Sequence, residues 1–275
     1  MDTQIIVIYC LCDDLLKAMM HREDSQCQMS DAEVMTVALV AMCYFSGNYH
    51  LSRLFLVEQG YIPRMLHKSR FSRRLHRVKP QFLTLFAVLA EVWKQSNPDG
   101  IYAIDTFPVP VCDNYRIRRC RLYQDETYRG YIASKQRYFY GLKVHLVVTQ
   151  HGEPVEFFLT PGAESDVGCL DLFDFDLPPG STIYADRIYN NYILEDVLTE
   201  AGLLFQPMRK KNLKRQFPPY VRFLQNYYRK RIETAISLME QHFPKSIHAT
   251  SPEGFELKIV LFLLAFSIRC SMVAT

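Results

Sequence analysis

The chain has 275 residues, of which 49% are apolar, 22% charged and 13% aromatic, and its formal net charge is +3. These values exclude an intrinsically disordered chain, a collagen-like repeat and a coiled coil. No apolar run approaches the ~20 residues that a membrane-spanning helix needs, and the length suits one large domain or two of medium size.

The first third of the chain predicts helices. Ser30 and Glu33 form a capping-box pattern ahead of the apolar segment 34–45. The apolar stretch 5–12 predicts a core helix rather than a signal peptide, because acids stand on both sides of it. Apolar spacing predicts further helices over 51–59 and 80–93.

A change of pattern at the turn-forming cluster 97–100 predicts a domain boundary. Strand-like segments follow at 101–111, 138–148, 154–160, 181–186 and 203–208. Helices are predicted over 166–175, 191–201 and 219–243, and a very apolar one over 255–268. Ribonuclease-H-like α/β folds have the same order of elements along the chain: three strands, then helix, strand, helix, strand and helix.

This order predicts three regions. We expect an all-α N-terminal domain over 1–98 and a ribonuclease-H-like core, with a mixed five-stranded sheet and helices, over 99–245. We expect the C-terminal region 246–275 to form an apolar helix that packs on the core or in a dimer contact.

Three acids stand out by their positions. Asp105 and Asp186 each end an apolar strand, and Glu233 lies on a helix whose apolar positions Ile232, Ile236 and Met239 predict its buried side. A single Asp at a strand end is most often a turn or cap residue. A carboxylate beside a buried strand is nevertheless costly to desolvate unless it is paired or metal-bound, and three converging carboxylates would suit Mg²⁺.

Several longer segments carry a family resemblance. They are 104–112, 128–135, 139–145, 154–158, 184–186, 209–212 and 228–234. In these segments the chain resembles DDE transposases of bacterial insertion sequences, most closely the insertion sequence 982 family, a relative of the insertion sequence 4 and 5 families. The resemblance covers nearly the whole chain, and it implies that 1–98 is a DNA-binding domain and 99–245 the ribonuclease-H-like DDE catalytic domain. It implies that Asp105, Asp186 and Glu233 are the catalytic, metal-binding triad for two Mg²⁺ ions, with Mn²⁺ as a substitute.

The chain also departs from the related signature of the insertion sequence 4 family. Arg229 and Glu233 match that signature, whereas Asn226 stands where relatives carry Tyr and Glu240 where they carry Lys. Arg187 follows the second Asp at a position where Lys is common, and this exchange alters the geometry of phosphate binding.

Basic residues concentrate in three runs. Segment 64–79 has seven Lys or Arg and no acid, 201–232 has nine and no acid, and 116–121 contains four arginines. One basic run is most often a solvated face, but three runs with nearby aromatic residues favour a DNA track. The candidate DNA-binding residues are Arg70, Arg73, Arg74, Arg116, Arg118, Arg119, Arg121, Lys135, Arg187, Arg209, Lys210, Lys211, Lys214, Arg215, Arg229, Lys230 and Arg231. Segment 71–80 could belong to a helix-turn-helix-like reader of transposon ends.

The resemblance and the charge pattern together predict an enzyme. We expect a transposase that binds the terminal inverted repeats of its element, cleaves the ends by metal-dependent phosphodiester hydrolysis and joins them to target DNA. The expected partners are double-stranded DNA and a second copy in a homodimer, in the bacterial cytoplasm at the nucleoid. The alternatives are a ribonuclease-H-like nuclease without strand transfer and an inactive DNA-binding relative.

Overall fold

A computed structural model describes residues 1–273, apart from the side chains of Ser134, Ile232 and Val273. The expected burial of Ile232 therefore lies outside the described side chains. The chain divides into two compact units, of which one combines Met1–Leu89 with the chain from His242 onward and the other comprises Ala90–Gln241. The domain limits given above remain predictions.

The first unit consists of helices. They are α1 (Asp2–Ala18), α2 (Asp31–Tyr44), α3 (Tyr49–Glu58), α4 (Lys68–Arg77), most of α5 (Lys79–Gln95) and α8 (Pro252–Val273). Helix α2 is buried on nearly every side and packs against α1, α3, α4 and α8. The predicted capping box is confirmed, because the Ser30 hydroxyl accepts the Glu33 N–H and the Glu33 carboxylate accepts the Ser30 N–H.

Helix α4 lies in the basic segment 64–79, for which the sequence predicts no regular helix. Only Phe71 and Leu75 of this helix are buried, and its other residues are basic or polar. Two apolar residues four positions apart lie on one side of a helix, and they hold that side of α4 on the core while the basic residues occupy the other sides.

The longest helices do not indicate a membrane span. Among the described residues, no single helix is both long and apolar enough to cross a bilayer. Helices α2 and α3 satisfy length and composition only when they are taken together across a bend of 110°.

The second unit contains a mixed sheet. Its strands are β1 (Ile101–Pro110), β2 (Arg129–Ile132), β3 (Arg137–Thr149), β4 (Pro154–Pro161), β5 (Thr182–Ala185) and β6 (Leu204–Pro207). The central order is β4-β3-β1-β5-β6, in which β1, β5 and β6 are parallel and β3 is antiparallel to both β1 and β4. Helix α6 (Tyr192–Glu200) connects β5 to β6, and α7 (Pro219–His242) follows. The predicted ribonuclease-H-like core is confirmed, with β2 as an additional short strand on β3.

The helix predicted over 166–175 is wrong. This segment contains one 3₁₀ turn, Leu170–Leu172, and then runs extended. The Glu156 carboxylate accepts the N–H groups of Asp174 (2.6 Å) and Phe175 (3.2 Å), which in a helix would bond to preceding carbonyls. Phe173 packs edge-on against Phe158 at 4.5 Å, so a tertiary aromatic contact accounts for its burial.

Candidate active site

Asp105 and Asp186 lie side by side at the centre of the sheet. Ile104 of β1 pairs with Ala185, the last residue of the parallel strand β5, so Asp105 and Asp186 follow the last paired residues. The prediction that Asp105 ends its strand is wrong, because β1 continues to Pro110 by pairing with β3 on its other side. Residues in register on neighbouring strands point to the same face. The strand pairing therefore places both carboxylates on one side of the sheet.

Helix α7 brings the third acid to the same side. Gln225, Arg229 and Glu233 follow at intervals of four and share one helix face. The buried Gln225 amide donates to the carbonyls of Gln206 (3.2 Å) and Pro207 (3.4 Å) at the end of β6, which fixes the helix against the sheet.

A glycine allows this helix to approach the sheet closely. Gly152, in the turn between β3 and β4, has φ +97°, and a Cβ at this position would lie only 2.3 Å from Ala235 Cβ. Any larger residue would push α7 away, and Glu233 with it.

The three acids line one small cavity together with Arg229. The cavity has a volume of about 90 Å³ and its other walls include Tyr184, Met208 and Gln225. Arg229 Nε donates to Glu233 Oε1 at 2.7 Å, and its Nη1 lies 3.6 Å from Asp186 Oδ1. The fold thus brings together the predicted triad and the predicted arginine, although they are separated along the chain.

Asp105 differs electrostatically from its two neighbours. Burial raises the pKa of Asp105 to about 6, and the charges of Asp186, Glu233 and Glu240 add to this effect, while the Thr106 N–H donates to its carboxylate at 2.8 Å. Among residues 1–273, no ion pair involves Asp105. A half-buried carboxylate that has no ion pair among the described residues and lies beside two more carboxylates fits hard divalent ions such as Mg²⁺ or Mn²⁺.

A buried polar network fixes the strand ends from the opposite face. The Thr106 hydroxyl contacts Tyr189 OH at 2.7 Å and His145 Nδ1 at 3.0 Å, and His145 Nε2 contacts Thr160 Oγ1 at 2.8 Å. Thr106 follows Asp105 directly, and Tyr189 comes three residues after Asp186. Their hydrogen bond therefore links the two segments that carry the acids.

His145 is the centre of this network, and sequence reasoning placed it only in a strand. Its side chain is fully buried, and burial lowers its pKa to about 4, so the ring is neutral at pH 7. The signal that could have found it is Thr106 directly after Asp105, because a hydroxyl within a central strand needs a hydrogen-bond partner on the neighbouring strand.

A second acidic group lies in the helical unit. Single ligand atoms of His21, Glu23 and Asp31 all lie within 4.8 Å of one another. The guanidinium of Arg74 pairs with Asp31 and also lies 3.5 Å from Glu23, while His21 Nε2 contacts Asp31 Oδ2 at 2.8 Å. Arg74 thus supplies the cation for this group and anchors α4 to α2.

Two of the predicted DNA-binding arginines form ion pairs within the protein. The side chain of Arg209 is only 1% exposed, pairs with Glu195 and lies over the rings of Tyr192 (5.0 Å) and Phe217 (4.7 Å). Arg74 is 15% exposed and is held by acids. Each guanidinium is thus held by acidic partners distant in sequence, and its role in DNA binding stays a prediction.

The other predicted basic residues have different environments. Arg229 is half-buried in the cavity, and Arg215 is exposed but makes a two-pronged ion pair with Asp196 (2.6 and 2.9 Å). The remaining ones are exposed: Arg70, Arg73, Arg116, Arg118, Arg119, Arg121, Lys135, Arg187, Lys210, Lys211, Lys214, Lys230 and Arg231.

Comparisons with known proteins bear on the same region. No curated protein matches the chain. Among solved structures, the cryo-EM structure of a piggyBac transposase synaptic complex with hairpin DNA is similar, with a TM-score of 0.49 and 10% sequence identity over 98% of this chain and 75% of that chain. Residues 95–243, just over half of the chain, match the family model described as a transposase DDE domain. This match covers all three acids and the whole sheet, and the chain belongs to the transposase DDE domain family.

Proposed function

We propose that the protein is a DNA transposase of the insertion sequence 982 type. It binds the terminal inverted repeats of its own element, cleaves the element ends and joins them to target DNA. The observation that carries this proposal is the convergence of Asp105, Asp186 and Glu233 in one cavity inside the matched domain.

In this proposal the three acids hold divalent ions. Asp105, Asp186 and Glu233 supply hard oxygen ligands, which select Mg²⁺, with Mn²⁺ as a substitute. When bound, two such ions would activate the attacking hydroxyl and stabilise the leaving oxygen. Thr106 orients Asp105 through its N–H, and Arg229 offers a guanidinium that can bind a phosphate on the same wall.

The exposed basic residues supply the DNA-binding surface. On the catalytic unit they include the arginine cluster at 116–121, Lys135, Arg187 and the lysines of 210–214. On the helical unit, Arg70 and Arg73 project from α4. Exposed Lys and Arg bind duplex phosphates and release counterions, so we expect DNA affinity to fall steeply with salt.

We further propose that the active complex is a homodimer acting on DNA of the bacterial nucleoid, in the cytoplasm. An inserted element has two ends that must be processed together, and two copies of one chain offer two equivalent catalytic cavities. An isologous dimer is the simplest closed assembly with that property.

A paired assay tests the proposed function. Duplex DNA from the borders of the protein's own genetic element is incubated with the protein and Mg²⁺, and both end cleavage and joining to a target plasmid are measured. We expect both products. Cleavage without joining would favour the ribonuclease-H-like nuclease, and binding without cleavage would favour an inactive DNA-binding relative.

A further inference from the structure

Helix α7 carries an exposed row of aromatic side chains. Tyr220, Phe223 and Tyr227 are 68%, 70% and 49% exposed. They are separated by three and four residues and therefore lie on one side of the helix. We call these three residues the α7 aromatic stripe.

The stripe lies on the side of the helix that faces away from the sheet. The buried residues of α7 are Val221, Gln225, Ala235, Ile236 and Met239. At 100° per residue, Phe223 and Tyr227 project about 160° to 200° from Gln225. Packing of α7 against the sheet therefore does not explain why these three positions carry aromatic side chains.

Tyr227 is held in place by further rings. It meets Tyr228 edge-to-face at 5.1 Å, and Tyr228 stacks on Tyr184 at 5.3 Å. Tyr184 itself lines the cavity of the three acids. A continuous row of aromatic rings thus runs from that cavity to the stripe. These contacts fix the orientation of the exposed Tyr227 ring.

Cations flank the stripe. Arg222, Lys230 and Arg231 are exposed on the same helix, and Arg231 Cζ lies 5.9 Å from the centre of the Tyr227 ring. No acid occurs between residues 201 and 232. Exposed rings bordered by cations are the arrangement by which proteins bind single-stranded nucleic acid, with bases stacked on rings and phosphates near cations.

The positive charge around the stripe decides whether a second copy of the chain or a nucleic acid binds there. A symmetric contact between two copies through this face would bring the same arginines and lysine toward each other, and like charges oppose association. A polyanion neutralises them. Bases inside an intact duplex do not offer their flat faces to the rings, whereas unpaired bases do.

We propose that the α7 aromatic stripe binds unpaired nucleotides of the DNA strand whose end lies in the acid cavity. This inference rests on the proposed function. Tyr227 precedes Glu233 by six residues, about 9 Å along the helix axis, so a short single strand spans the two sites.

The test compares single-stranded with duplex DNA. Fluorescence anisotropy measures the binding of labelled oligo(dT) and of a duplex to the full chain and to a variant carrying Tyr220→Ala, Phe223→Ala and Tyr227→Ala. We expect the variant to bind oligo(dT) at least tenfold more weakly and the duplex within about threefold of the original affinity, since the variant loses base stacking but keeps the cations that contact phosphates. The matched control is Leu238→Ala, because Leu238 is 55% exposed and lies three turns further along the same side of α7.

A second pair of variants separates stacking from folding. Tyr227→Trp should preserve oligo(dT) binding and Tyr227→Leu should lose it, although both residues are large and apolar; circular dichroism melting checks that each variant folds.

Unchanged oligo(dT) binding by the triple variant overturns the inference, and so does an equal loss for both DNAs. A dimer that dissociates in the triple variant, measured by light scattering, would instead assign the stripe to a second copy. Failure of the unaltered protein to bind duplex DNA would count against the proposed function itself.

Discussion

At the scale of single residues, the three acids of the cavity are not equivalent. Asp105 is enclosed and has no ion pair among the described residues, whereas Asp186 and Glu233 are about half exposed and share Arg229. Asp105 and Asp186 lie where the pairing of β1 with β5 ends, and with Glu233 on a helix they can hold ions between them without any His or Cys ligand.

We expect Asp105→Ala, Asp186→Ala and Glu233→Ala each to reduce Mg²⁺-dependent end cleavage by at least about a hundredfold. Each substitution removes an ion ligand, which is worth several kcal/mol in the transition state. Duplex binding should change less than threefold, since the basic surface remains. Cleavage gels and anisotropy measure the two properties, and near-normal cleavage by one variant would remove that residue from the triad.

Glu233 and Glu240 provide a matched comparison on one helix. Glu233 lines the cavity and pairs with Arg229, whereas Glu240 is exposed and contributes less than Glu233 to the raised pKa of Asp105. Glu233→Gln should lose cleavage, and Glu240→Gln should retain most of it. The reverse result would identify Glu240 as the third ligand.

His145 predicts a pH dependence of stability. Burial lowers the pKa of His145 from 6.5 to about 4; the charge of Asp166 opposes this shift and that of Lys143 adds to it. Between pH 4 and pH 6.5 the imidazole of His145 therefore binds a proton more tightly in the unfolded chain than in the folded protein. Stability is therefore full above pH 6.5 and falls as the pH drops toward 4, by at most ~1.4 kcal/mol per pH unit. Urea unfolding at pH 7 and pH 5.5 should show a smaller decrease for His145→Gln than for the unaltered protein. Equal decreases would exclude His145 as the source.

At the scale of elements, the acid-free run after β6 separates into structural and exposed cations. Arg209 is buried between α6 and Phe217, while Lys210, Lys211 and Lys214 are exposed on the same loop. The cations of one basic run therefore differ in environment, and only the tertiary structure shows which of them are buried and which are exposed.

Substitutions in this loop should show both roles. Changing Lys210, Lys211 and Lys214 to Glu should weaken duplex binding and make the slope of log affinity against log salt shallower by roughly two to three units. Arg209→Leu should keep that slope but destabilise the protein by about 3 kcal/mol or more, because Glu195 loses its buried partner. Thermal melting and salt titrations measure the two effects, and an unchanged slope in the lysine variant would make this loop a solvated face.

At the scale of the whole molecule, the acids and their supporting network lie in the unit Ala90–Gln241, which nearly coincides with the matched region 95–243. The cluster of carboxylates destabilises this unit, because Asp105 is partly desolvated beside other negative charges. Function and stability are thus in opposition at this site.

This opposition can be measured by thermal melting. In EDTA, Asp105→Asn should melt a few degrees above the unaltered protein, because it removes a buried charge. Mn²⁺ should raise the melting temperature of the unaltered protein and have little effect on the variant, since binding to the native state alone stabilises it. Equal Mn²⁺ shifts in both proteins would argue against Asp105 as a ligand.

The sequence by itself determined the features that depend on neighbours along the chain. The capping box at Ser30, the succession of strands along the chain and the position of Asp186 directly after a strand are visible because hydrophobic periodicity and turn residues are local signals. The order of the strands within the sheet and the position of Asp105 in the middle of β1 depend on pairing between distant segments. Only the tertiary structure decided the partners: Arg209 with Glu195, Arg74 with Asp31, Thr106 with Tyr189, and Glu156 with the backbone of the segment predicted as a helix. These contacts join residues 14 to 83 positions apart, and no local pattern records which distant group will satisfy a buried charge or hydroxyl.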